Sequence, residues 1–177
     1  MSQSATLYRI TTEQFHLIER METRHVKPTE LTDAYVTFHG TFMGLEAVLS
    51  KGLDRDSQEL LVEIFNPVHY IGPADSNVFP SEEEEEYWEQ DESVGYLPVK
   101  KVKKVDAMLR SIDPDAVANN YNAAELNEDQ VYPGSWENGN TTDVAFNTRR
   151  LLEDFRSLQN FFRDAAENEN YVLSYVG

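Results

Sequence analysis

Residues 144–176 read VAFNTRRLLEDFRSLQNFFRDAAENENYVLSYV, and this stretch decides the fold class. Val144, Phe146, Leu151, Leu152, Phe155, Leu158, Phe161, Phe162 and Ala165 recur every three or four residues, which gathers them on one side of a long helix. A cap near Thr141 or Thr142 is the expected start, and Asn168 and Asn170 mark the end. Tyr171 to Val176 then changes character. Its β-branched and aromatic residues predict a strand.

Working back from this stretch, Val99, Val102, Val105, Met108, Leu109 and Ile112 form a second apolar stripe over four turns, with Lys100, Lys101, Lys103 and Lys104 outside it. Pro98 suits the first turn of that helix, where its missing N–H costs nothing. Asp113-Pro114 ends it; Asp115 to Leu126 reads as a shorter, polar helical stretch, and Val131 to Trp136 as a loop. Val94 to Leu97 has strand composition. Nearer the start, Ala5 to Ile10 alternates like a short strand. Thr11 and Gln14 form a capping box, in which hydroxyl and amide satisfy each other's free N–H groups, for a helix from Thr12 to about Arg24. The positions Tyr35, Phe38, Phe42, Leu45, Val48 and Leu49 have helical spacing, so Leu31 to Leu53 is expected as one helix weakened by Gly40 and Gly44. A further helix, Asp56 to Phe65, ends at Asn66-Pro67 because the residue before proline avoids helical geometry. The expected architecture is α+β. It is a single compact domain over residues 1–177, with amphipathic helices packed on a small mixed sheet that includes the C-terminal strand, the two terminal strands pairing.

The order Gly95-Tyr96-Leu97-Pro98, a Val-rich helix, Asp113-Pro114-Asp115, Val131-Tyr132-Pro133 and Trp136 resembles the bacterial YfbM-like family of unknown function. Leu151-Leu152, Phe155, Leu158, Phe161-Phe162, Ala165-Ala166 and Val172 to Tyr175 carry the same resemblance. It covers residues 94–177 well and reaches loosely to Phe38-His39-Gly40, where Phe38 stands in place of the family's Trp. The family implies a compact α+β fold and brings no established activity, cofactor or catalytic residue. Members of such families sometimes neighbour toxin–immunity genes.

The formal charge is −17, and its location matters more than its size. Between Asp75 and Ser93 lie nine acids (Asp75, Glu82 to Glu86, Glu89, Asp91 and Glu92) and no base, so one segment supplies more than half of the total. Five successive glutamates repel one another in any compact form, which makes residues 75–93 an acidic loop or insertion. Such a field repels nucleic acid and anionic membranes and attracts basic proteins. The four lysines at 100, 101, 103 and 104 are the solvent face of a helix within this acidic chain rather than a nucleic-acid patch. No apolar run of eighteen residues is present, no secretory leader pattern opens the chain, and cysteine is absent. A cytoplasmic setting is the expectation.

No motif specifies a chemistry. The histidines His16, His25, His39 and His69 show no zinc-ligand spacing, and the Asp54-x-Asp56 run departs from a calcium loop at the glycine and at the closing acid. Neither a catalytic residue nor a metal or cofactor is therefore assigned, and the chain leans away from enzymes. The first functional candidate is a protein-binding surface for a basic partner, built on Glu82, Glu83, Glu84, Glu85, Glu86, Tyr87, Trp88 and Glu89. Aromatic residues among carboxylates suit an interface, and an immunity-type protein neutralising a basic toxin is the finer form. The alternative is a small-molecule site or enzyme with a cleft near His39, Tyr132 and Trp136.

Overall fold

The computed structural model describes residues 3–20, 28–71 and 94–177. Strand β1 (Ser4–Ile10) leads into helix α1 (Thr12–Arg20), whose capping box forms as the sequence requires. The Thr11 N–H donates to Gln14 Oε1 at 2.8 Å, and the Gln14 N–H to Thr11 Oγ1 at 3.1 Å. Next come the short helix α2 (Pro28–Leu31), strand β2 (Tyr35–His39), helices α3 (Phe42–Ser50) and α4 (Arg55–Phe65), and strands β3 (His69–Ile71) and β4 (Val94–Leu97). Helices α5 (Val99–Ser111), α6 (Pro114–Asn120), α7 (Ala123–Glu128) and α8 (Thr148–Glu167) precede strand β5 (Tyr171–Val176).

The five strands form one sheet in the order β2-β1-β5-β4-β3, so the first and last strands pair at its centre. All four strand pairs are antiparallel. The expected mixed sheet is corrected in this respect, because among the described residues every adjacent pair of strands in the sheet runs antiparallel. Ala5, Leu7, Val36, Phe38, Leu97 and Val172 face one side of the sheet and join the main core. Helices α3 to α8 cover that side with residues such as Leu45, Ile64, Leu109, Leu126 and Phe155. Burying each such side chain contributes about 1.5–3 kcal/mol, so this layer dominates the stability of the fold.

Four boundaries differ from the sequence reading, each for a local reason. The single helix expected from Leu31 to Leu53 is a strand followed by a helix. Gly40 separates them with φ +74°, and a side chain there would also press on Phe146. Helix α4 is capped by Asp54, whose carboxylate accepts from the Ser57 N–H at 2.9 Å, so it starts at Arg55, one residue before the expected Asp56. The polar stretch after Pro114 is two helices, with the Asn122 amide accepting from Ala124 and Glu125 to start the second. Helix α8 begins at Thr148 rather than near Thr141. Asn147 is its cap, accepting from the Arg150 N–H at 3.0 Å, while Val144 and Phe146 lie in the preceding loop.

Candidate functional site

Side chains alternate across a strand, and the second face of the sheet is built from the positions the core does not use. Register aligns one row across all five strands: Tyr35 of β2 opposite Tyr8 of β1, Leu173 of β5 next to Tyr8, Tyr96 of β4 next to Leu173, and His69 of β3 opposite Tyr96. Tyr171 and Tyr175 flank Leu173 on β5. The Tyr8 and Tyr35 ring centroids are 5.6 Å apart, Tyr8 meets Tyr175 edge-on at 5.6 Å, and His69 lies 5.6 Å from Tyr96. Thr6 and Thr37 share a hydrogen bond of 3.0 Å in the neighbouring row.

Among the described residues, α1 packs on this face. Phe15 stacks on Tyr171 with centroids 3.9 Å apart and tilts against Tyr96 at 4.8 Å. Ile18 adds to the same small cluster around Ile10 and Leu173. Away from α1 the tyrosines stay half-buried, and Tyr35 is 56% exposed. None of the strand positions on this face (Thr6, Tyr8, Ile10; Tyr35, Thr37, His39; Tyr171, Leu173, Tyr175; Val94, Tyr96; His69, Ile71) is Asp, Glu, Lys or Arg. The packing also acts on the phenols: burial, with Tyr8 as a lesser cause, pushes Tyr175 up to about 12. The result is an uncharged aromatic surface with hydroxyls, of the composition found at the centre of protein interfaces.

The residues singled out in the sequence fall in different places. Glu82 to Glu89, with Tyr87 and Trp88, lie outside the described residues. Their attachment points do not: Ile71 and Val94, which border the segment containing them, are partners in the β3–β4 pair and contribute to the aromatic face. Tyr132 and Trp136 come together with the α3 region. The Tyr132 hydroxyl accepts from the Gln3 N–H at 3.0 Å, and the Gly40 N–H donates to the Gln3 carbonyl. Trp136 is 3% exposed, donates through Nε1 to the Val131 carbonyl at 2.9 Å, and lies directly over Gly44. His39, exposed at the end of β2, pairs in register with Ser4. The indole thus forms part of the core wall, and Phe146, 5.7 Å from it, lies against Gly40 next to His39.

A buried polar cluster joins α3 to α8 near this turn. The Thr41 hydroxyl donates to Asp154 at 2.5 Å, and Arg150 Nε donates to the same carboxylate at 3.2 Å. Burial pushes the Asp154 carboxyl up, against the opposing pull of Thr41 and Arg150. Among the described residues no group of three or more His, Asp or Glu side chains is arranged to hold a metal ion. His16 faces Glu19 at 3.2 Å. No helix among the described residues is long and apolar enough to cross a membrane.

The tyrosine face was missed in the sequence because its signal is non-local. Tyr8, Tyr171 and Tyr175 alternate visibly with buried residues, yet only the register shows that they meet Tyr35 and Tyr96.

A search of curated proteins finds no match to the chain. Among solved structures, the chain is similar to the crystal structure of a protein of unknown function, YfbM from Escherichia coli, with a TM-score of 0.57 and 13% sequence identity over 99% of both chains. At that identity the likeness shows the fold, and it extends the resemblance beyond residues 94–177 to the whole architecture. Residues 53–175 match the family model described as a domain of unknown function, DUF1877, and the chain belongs to that family.

Proposed function

We propose that the chain is a non-enzymatic protein-binding domain that docks a basic partner on the open face of its sheet. The observation that carries this reading is the uncharged row of Tyr35, Tyr8, Leu173, Tyr96 and His69, bordered by the two residues from which the acidic segment departs. Tyrosine gives a large, amphipathic contact area at low entropic cost and is enriched among the residues that carry binding energy. Carboxylates act at longer range. They raise the rate of encounter with a basic surface and select against acidic ones. Glu82 to Glu86 steer, and the tyrosines hold.

In its finer form the reading is an immunity-type protein, which covers the active surface of a basic toxin domain. The test is capture from native lysate on the immobilised chain at low salt, followed by kinetics with the captured protein. Replacing Glu82 to Glu86 with serine should slow association severalfold and flatten its salt dependence. The double change Tyr8→Ser and Tyr35→Ser should instead speed dissociation by tenfold or more, the loss of about 1.4 kcal/mol. An acidic partner, or an association rate untouched by the serine replacements, overturns the reading.

A further inference from the structure

Beyond protein docking, we propose that an open polar cleft at the far end of the β1–β5 pair binds a small zwitterion of amino-acid or dipeptide size. The cleft encloses about 700 Å³ between the end of β1, the start of α1, the α2–β2 connection and the α8–β5 turn. That volume lies within the roughly 300–1,000 Å³ typical of small-molecule sites.

Among the described residues, two side chains in its lining have hydrogen-bonding capacity left over. Arg9 is three-quarters buried, at 26% side-chain exposure, and its nearest carboxylate partner is Asp164 at 3.8 Å. That distance is a charge contact and no hydrogen bond. A guanidinium has five N–H donors in a rigid fork that matches a carboxylate. Asn170 is 7% exposed. Its amide nitrogen donates only to the Asn168 carbonyl, at 3.3 Å, and its amide oxygen accepts nothing among the described residues. No buried side-chain polar atom among the described residues lacks a partner, so the Asn170 oxygen is accessible to solvent; on the cleft lining it and the Arg9 donor fork are available to a polar ligand.

The charges around the cleft decide which one. Arg9 favours a carboxylate or phosphate, while Glu30 and Asp33, both exposed in the lining, disfavour a multiply charged anion. Among the described residues one cation, itself 3.8 Å from Asp164, shares the lining with two acids, which fits a molecule that carries both signs. The ligand carboxylate takes the Arg9 fork, Asn170 hydrogen-bonds beside it, and the ammonium lies toward Glu30 and Asp33.

The experiment is an amide-resolved NMR titration of the full chain with pools of the twenty amino acids and of simple dipeptides. The expected result is saturable shifts at Thr11, Ala34 and Asn170 for at least one pool. The active compound should lose affinity tenfold or more when its carboxylate is amidated, and again in Arg9→Gln. Because Arg9→Gln touches a largely buried side chain, the exposed pair Glu30→Gln and Asp33→Asn gives a second arm. It should weaken the zwitterion while leaving or improving the binding of acetate. Absence of saturable shifts in every pool, shifts that map away from the cleft, or equal affinity for the amidated compound overturns the proposal. None of these results bears on the aromatic face, so the two sites stand or fall separately.

Discussion

Asp154 shows how one residue couples the core to pH. It is 6% exposed, yet it holds a carboxyl between Thr41 and Arg150. Burial raises its pKa above the ordinary aspartate value of 3.8, the two hydrogen bonds offsetting only part of the cost. A raised carboxyl favours the protonated form in the fold. Its stabilising contribution is therefore complete below the unfolded-state value and is lost as pH rises through the folded one. Asp154→Asn keeps an acceptor for Thr41 and removes the titration. The melting temperature of the wild-type chain relative to Asp154→Asn should fall as pH rises above the ordinary aspartate value of 3.8; a flat difference would count against the shift. Little of this was legible in the sequence, since Asp154 reads as one more acid on a helix of mixed charge. Gly44 was equally opaque. Its mid-helix cost of about 1 kcal/mol relative to alanine looked like a weakness, whereas it makes room for the Trp136 indole.

The elements were legible where capping and periodicity agreed, as in α1, α5, β4 and β5. They were misread where a spacing fits two structures. Tyr35 and Phe38 are three apart, which aligns them on a helix but puts them on opposite faces of a strand. In β2 they occupy opposite faces: Phe38 enters the main core and Tyr35 joins the aromatic row. Strand β3 has three residues and no pattern to read. The start of α8 was misplaced because Thr141, Thr142 and Asn147 are all competent caps, and only Asn147 has its amide in place. It is 1% exposed and also donates to the Thr141 carbonyl at 2.8 Å. Asn147→Ala should cost about 1–2 kcal/mol, read as a lower urea midpoint at unchanged slope. A loss below a few tenths would mean that the helix is held by its buried face alone.

At the scale of the whole molecule, the net charge of −17 sets the response to salt. Most of the ion pairs among the described residues are at least partly exposed, and such pairs contribute about 0–1 kcal/mol each. Self-repulsion among the excess acids therefore outweighs them, and the melting temperature should rise as sodium chloride shortens the screening length. Replacing Glu82 to Glu86 with serine takes the charge from −17 to −12 and should reduce that rise. A melting temperature that drops with salt would reverse the ranking. The α+β class and the pairing of the terminal strands followed from the sequence, but the arrangement of the tyrosines did not, since it depends on pairing between distant segments. That pairing also governs timing during synthesis. β1 leaves the ribosome early, yet its central neighbour β5 begins more than 160 residues later, after Ile10 has waited for Tyr171. At roughly 5–20 residues per second the delay is on the order of ten to thirty seconds. Through that interval β1 has only the β2 side of its backbone to pair with, so the sheet closes at its centre last.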